Sequence, residues 1–178
     1  MVSVGEMDYT IEKDLLEKSL IGGDLLADDR ATTELLQKLT YLPLAIIQAA
    51  AYMNENEITL SEYEVLLDDT EQNMIDILSE EFEDEGRYGG INNSVATTWL
   101  ISFKQIRTHD PLAAEYLSFM SCVDAKDIPQ SLLPLAQSKK KAVDAIETLR
   151  AYSLITKRKT DQLLDLHRLV HLATRNWL

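Results

Sequence analysis

Apolar residues in this chain recur mostly at the spacing of one helix face, and at the period of a strand only near its two ends. MVSVGEM alternates, placing Val2, Val4 and Met7 on one side of a short strand. DYTIEKDLLEKSLI then reads as a helix: Thr10 can cap it, acidic residues sit early, and Ile11, Leu15, Leu16 and Leu20 form one stripe before Gly22-Gly23. DDRATTELLQKLTYLPLAIIQAAAYMNEN predicts a helix to about Leu39, a break just before Pro43, and a second helix over Leu44–Met53. That second helix is apolar nearly all round, so it has to be buried. TLSEYEVLLDD predicts another helix, capped by Thr59 or Ser61 with Tyr63, Leu66 and Leu67 inward, and TEQNMIDILSEE can continue it.

The pattern lapses over EEFEDEGRYGGINNS, residues 80–94, which is acidic, glycine-containing and poor in packing residues, as a linker would be. Helical spacing resumes at Ser94 with Val95, Trp99, Ile101, Phe103 and Ile106, and restarts at Asp110-Pro111 with Leu112, Tyr116, Leu117, Phe119 and Met120. IPQSLLPLA reads as a short helix between prolines, and KKKAVDAIETLRAYS as a helix burying Val143, Ile146 and Leu149. The period then drops to two: LITKRK, the turn TDQ and LLDLH predict a β-hairpin, and RLVHLATRNWL closes the chain as a helix. The expected fold is mainly α, a helical domain followed by a winged-helix domain whose wing is the small hairpin.

Composition narrows the class. The chain has 178 residues, 46% hydrophobic and 26% charged, enough for one ordinary domain or two small ones. No apolar run is long enough to span a membrane, no secretory signal is expected from the first residues, and the single Cys122 fits a reducing, cytoplasmic setting. Residues 1–90 carry 5 Lys and Arg against 22 Asp and Glu, a net −17, whereas residues 91–178 carry 12 against 8, a net +4. Such an acidic first half repels nucleic acid.

Candidate chemistry is sparse. There is no G-x-x-x-x-G-K-[ST], G-x-G-x-x-G or G-x-S-x-G motif. One cysteine and three histidines cannot build an ordinary structural zinc site, and nothing local supports a Cys122/His109 nucleophile pair. His167 and His171 are spaced as an H-x-x-x-H pair but lack the glutamate that a zinc protease places after the first histidine. A metal pair, a base with its helper, packed core histidines and a phosphate contact all remain open for them at this point. Lys139-Lys140-Lys141 and Lys157-Arg158-Lys159 occupy the two places where a DNA-binding winged helix carries charge. Asp144 and Glu147 on the same helix argue against that use, which leaves DNA binding as the alternative function beside a plain protein-interaction module.

Two stretches say more together than apart. YLPLAIIQAAAYM (41–53) and LLDLHRLVHLATRNWL (163–178), some 125 residues apart with a winged helix ending at the second, resemble the part of NB-ARC-type STAND ATPases that follows the catalytic domain, most closely in fungal NLR-like proteins. Leu42-Pro43-Leu44 resembles the end of the family's GLPL motif, with Tyr41 where glycine is usual. Leu166-His167-Arg168 resembles its MHD motif, with leucine for methionine and arginine for aspartate.

The resemblance implies the following organisation. Residues 1–7 would be a remnant strand of the nucleotide-binding domain, 8–80 a helical domain, 81–93 an acidic linker and 94–178 a winged-helix domain. Pro43, with Leu42, would contact adenine, and His167, with Arg168 beside it, would reach the β-phosphate of ADP. ADP or ATP would bind only with the N-terminal nucleotide-binding domain, which supplies the phosphate loop and metal-binding aspartate. This chain would therefore be neither an enzyme nor a nucleotide binder alone. Its partners would be that domain and C-terminal repeats, of the tetratricopeptide type in many fungal relatives, with self-association on activation. Its role would be regulatory, in signal transduction of the innate-immunity kind.

Overall fold

The computed structural model describes residues 9–21, 29–81, 94–158 and 161–177. The predicted strand over residues 1–7, the Gly22-Gly23 helix end and most of the acidic linker lie outside the described residues. The chain forms two compact units, Met1–Ile101 and Ser102–Leu178.

Unit 1 contains α1 (Tyr9–Ser19), α2 (Asp29–Lys38), α3 (Pro43–Asn56), α4 (Leu60–Glu81) and the first half of α5 (Ser94–His109). α3 is the hub: Ala45, Ile46, Gln48 and every residue from Ala49 to Met53 are buried. It packs against α1 and α4, while α2 packs against α4 and α1. The polar exception, Gln48, accepts a hydrogen bond from the Thr98 hydroxyl of α5 at 2.9 Å, both residues being buried. Asn54 closes α1 from outside, donating to the Ser19 carbonyl at 2.8 Å and accepting from the Ile21 N–H at 2.9 Å. It thereby satisfies groups that a helix end leaves unpaired.

Two sequence expectations fail in α1. Tyr9 already belongs to the helix, so Thr10 lies inside it and does not cap it. Ile11 is exposed, and the buried stripe is Glu12, Leu16 and Leu20, set over by one position. At α4 the cap is Thr59: its hydroxyl accepts from the Glu62 N–H, and the Glu62 carboxylate accepts from the Thr59 N–H and hydroxyl, both at 2.8 Å. This reciprocal arrangement is a capping box. The Thr59 backbone N–H, then its hydroxyl, hold the Glu62 carboxyl below the ordinary glutamate range.

Unit 2 contains the rest of α5, then α6 (Pro111–Ser121), β1 (Ile128–Pro129), a 3-10 turn (Gln130–Leu132), α7 (Lys139–Ala151), β2 (Ile155–Lys157), β3 (Leu163–Leu166) and α8 (Arg168–Trp177). Helix, strand, helix and hairpin follow in the order of a winged helix, and the chain is mainly helical with a small antiparallel sheet. β3 is the central strand: Leu164 and Leu163 face Ile128 and Pro129 of β1, and Leu166, Asp165 and Leu164 face Ile155, Thr156 and Lys157 of β2. The predicted helix over IPQSLLPLA is therefore replaced by an edge strand and a 3-10 turn. Pro129 and Pro134 lack the N–H groups that an α-helix there would need, and an edge position tolerates a proline. Asp110 caps α6 through the Ala113 N–H at 3.1 Å, as the Asp110-Pro111 pair predicts. On α7 Val143 is exposed rather than buried, and Ala145 joins Ile146 and Leu149 in the core. Leu112 and Phe119 are only half-buried.

Two of the described helix ends, those of α2 and α7, are built without glycine. After α2, the Tyr41 N–H bonds to the Leu36 carbonyl and the Thr40 N–H to the Gln37 carbonyl, with Thr40 and Tyr41 at φ 50° and 54°. After α7, the Leu154 N–H bonds to Leu149 and the Ser153 N–H to Arg150, with Ser153 at φ 54°. Both are Schellman endings, in which the left-handed residue is ordinarily glycine because a Cβ is crowded there. Thr40→Gly and Tyr41→Gly should therefore each raise stability, by roughly 0.5–1 kcal/mol, in urea unfolding monitored by circular dichroism. Acid should act on α4: Glu62 contributes stability above the ordinary glutamate range and loses it as pH falls through its lowered pKa. Glu62→Gln should flatten that part of a stability–pH profile.

Candidate functional site

Each pair of residues singled out by sequence sits at the first turn of a helix. In unit 1 the chain leaves the left-handed Thr40-Tyr41 pair, passes through Leu42 in extended conformation (φ −87°, ψ 120°) and enters α3 at Pro43. The Leu42 carbonyl accepts the Ile46 N–H at 3.0 Å, and Leu42 offers no side-chain cap. Proline at this position forfeits no helix hydrogen bond. Leu42 and Pro43 are both exposed, so a leucine side chain and a rigid pyrrolidine ring form an apolar step on the surface of unit 1. Tyr41 explains the glycine of the resembled motif in physical terms. That position takes positive φ, which glycine adopts freely and tyrosine adopts at a cost.

In unit 2, His167 follows β3 directly and caps α8. Its carbonyl accepts the His171 N–H at 2.9 Å, and its Nδ1 accepts the Leu169 N–H at 3.2 Å. An Nδ1 that accepts a hydrogen bond carries no proton, so the neutral ring is fixed as the Nε2–H tautomer. The imidazole is exposed and can still donate through Nε2. Arg168 is the first residue of α8 and is exposed, with no ion pair among the described residues. A cation there opposes the helix dipole, whereas an aspartate would complement it. What the exchange offers instead is a positive charge beside backbone N–H groups, the setting that favours a bound anion.

The two histidines of LLDLHRLVHLATRNWL do not act as a pair. The His171 Nε2 lies 2.9 Å from the Val123 carbonyl and donates to it, tying α8 to the segment after α6. Cys122 and His109 flank opposite ends of the 11-residue α6, about 16 Å of helix at 1.5 Å per residue, so no nucleophile pair forms. Among the described residues no group of three His, Cys, Asp or Glu side chains could hold a metal ion, and no helix is long and apolar enough to cross a membrane. Of the wing's three basic residues, Lys159 lies outside the described residues and Arg158 is engaged. Arg158 pairs with Asp127, lies 3.5 Å from Asp161 and 4.0 Å from Asp165, and so is neutralised where a DNA-binding wing would present it. Lys139, Lys140 and Lys141 are exposed. Nothing in the residue pattern marks His167 as a helix cap, because histidine is not among the usual cap residues.

His167→Ala should destabilise the chain by about 1 kcal/mol, the worth of a lost helix cap, while His167→Ser should retain most of that stability. Arg168→Asp should stabilise α8 by roughly 0.5 kcal/mol at low salt, an increment that added salt removes. Urea titrations of the three variants, with and without salt, check both expectations.

No established family description matches the chain, and no solved structure does. A protein of Hyaloscypha variabilis named "Nucleotide-binding leucine-rich repeat (NLR)-like protein" is 47% identical over 183 aligned positions that include the whole of this chain. The chain spans 18% of that relative's length, and is thus similar throughout to one part of a much longer NLR-like protein.

Proposed function

We propose that this chain is the regulatory segment of an NLR-like signal-transduction ATPase, comprising a helical domain (8–80), an acidic linker (81–93) and a winged-helix domain (94–178). The observation that carries the proposal is the 47% identity along the entire chain to a protein named NLR-like that is several times longer. The order of the Leu-Pro-Leu and Leu-His-Arg motifs supports the finer assignment. In this reading a nucleotide-binding domain elsewhere in the protein supplies the phosphate loop and the metal-binding aspartate. Pro43 and Leu42 give ADP an apolar surface for its base. His167 donates its Nε2–H to the β-phosphate, and the Arg168 guanidinium adds positive charge at the same helix start. The off state then closes over ADP, and activation separates the parts as rigid bodies.

Because Nδ1 accepts the Leu169 N–H in the helix cap, Nε2 is the nitrogen left to face phosphate, and Arg168 adds a guanidinium beside it. An aspartate beside the histidine would carry no such charge, so the nucleotide's hold here depends on the arginine.

The test joins this chain to the nucleotide-binding domain of an NLR-like protein and measures ADP affinity by calorimetry. His167→Ser, which keeps the cap, should weaken ADP by about tenfold, the worth of one hydrogen bond to a charged group. Arg168→Asp should weaken it at least as much. Wild-type affinity in His167→Ser would remove the phosphate role and leave His167 as a helix cap only.

A further inference from the structure

A groove of about 620 Å3 opens in unit 2 where the corner between α5 and α6 faces the start of α7. That volume is in the range of sites that hold small ligands or a few residues of peptide. Its apolar surface comes from Pro111, Leu112, Ala136 and Leu135, the last standing fully in solvent at the edge. Glu115 enters from α6 and Asp144 from α7.

The charged and polar groups of the groove divide into those already engaged and those left over. Asp110 accepts from the Ala113 N–H at 3.1 Å and from the Thr148 hydroxyl at 2.8 Å. The Lys141 ammonium donates to the Gln137 side-chain carbonyl at 2.7 Å, and the His109 Nδ1 donates to the Gln105 carbonyl at 3.0 Å. At the starts of α6 and α7, Asp110 takes the Ala113 N–H and Ser138 takes the Lys141 N–H. What remains are the carboxylates of Glu115 and Asp144, neither of which has an ion pair or side-chain hydrogen bond among the described residues; with Asp110 they outweigh the positive charge that Lys141 keeps in the lining. The same local field is felt behind α6. Burial first, then the negative charges of Glu115 and Asp110, hold the Tyr116 phenol above its ordinary range.

We infer that this groove docks a peptide segment carrying a lysine or arginine next to an apolar side chain, the cation lying between Glu115 and Asp144 and the apolar group against Leu112 and Leu135. Charge complementarity selects that occupant. An acidic peptide or a nucleotide would meet two unmatched carboxylates, and a purely apolar peptide would leave them desolvated and unpaired. The inference is independent of the nucleotide reading, because the groove contains none of Leu42, Pro43, His167 or Arg168.

Fluorescence anisotropy on the whole chain tests it, with a short fluorescein-labelled peptide of alternating leucine and arginine as the probe. Glu115→Gln combined with Asp144→Asn should weaken binding by about tenfold, the combined worth of two exposed charge contacts. Leu135→Ser should weaken it by a few-fold. Glu17→Gln combined with Glu55→Gln removes the same charge from unit 1 and should leave affinity within about twofold if the groove is the site. All five side chains are exposed, so every variant should keep the wild-type circular dichroism spectrum. Absence of saturable binding, an equal loss in the unit 1 control, or equal affinity for the peptide with glutamate in place of arginine would each overturn the proposal.

Discussion

A helix reading LAIIQAAAYM cannot turn any side to water, and unit 1 is organised around that demand. Burying α3 on α1 and α4 brings Leu16, Leu35, Leu36, Tyr63 and Leu67 into one core. It also decides what happens at the helix's beginning. A helix held so firmly in place must be entered from a fixed point, and the chain reaches that point through two consecutive left-handed residues, Thr40 and Tyr41. The exposed Leu42-Pro43 step is thus the visible end of a buried requirement: the core fixes α3, α3 fixes Pro43, and the turn before it absorbs the strain. The one polar side chain in the middle of α3, Gln48, has its buried oxygen met by the Thr98 hydroxyl.

In unit 2 the corresponding role belongs to β3. Leu164 and Leu166 are fully buried, and this strand alone pairs with both of its neighbours. It ends at Leu166, and the next residue is the cap of α8. His167 is therefore positioned by a strand on one side and a helix on the other, with its ring orientation set by the Leu169 N–H. A side chain so placed is well prepared to hold a partner at a defined angle, whichever partner that is. His171 fixes the same helix a turn later through the Val123 carbonyl.

Much of this was legible in the sequence because it rests on periodicity. The apolar pattern predicts α2, α3, α7, the hairpin and α8 closely, and Asp110-Pro111 marks the start of α6. Periodicity fails where one helical position has two plausible faces, as with Ile11 against Glu12 or Val143 against Ala145. It says nothing about β1, whose two residues are a strand only because Leu163 and Leu164 lie beside them. Of the candidate site, the residues could be located but not their hydrogen bonds. Which ring nitrogen of His167 stays open depends on the Leu169 N–H, and whether Arg158 is neutralised depends on Asp127, which is distant from it in sequence. The groove between α6 and α7 left no periodic trace, since its walls come from three separate elements.

Pro129 carries one further implication. It occupies half of the two-residue β1, which forms an outer edge of the sheet, and it has no N–H to offer. A neighbouring polypeptide seeking to extend the sheet on that side would find neither the length nor the donors for a ladder. Where the wing's sheet begins, strand-to-strand adhesion between copies is foreclosed. That edge is thereby protected from joining the sheet of another copy.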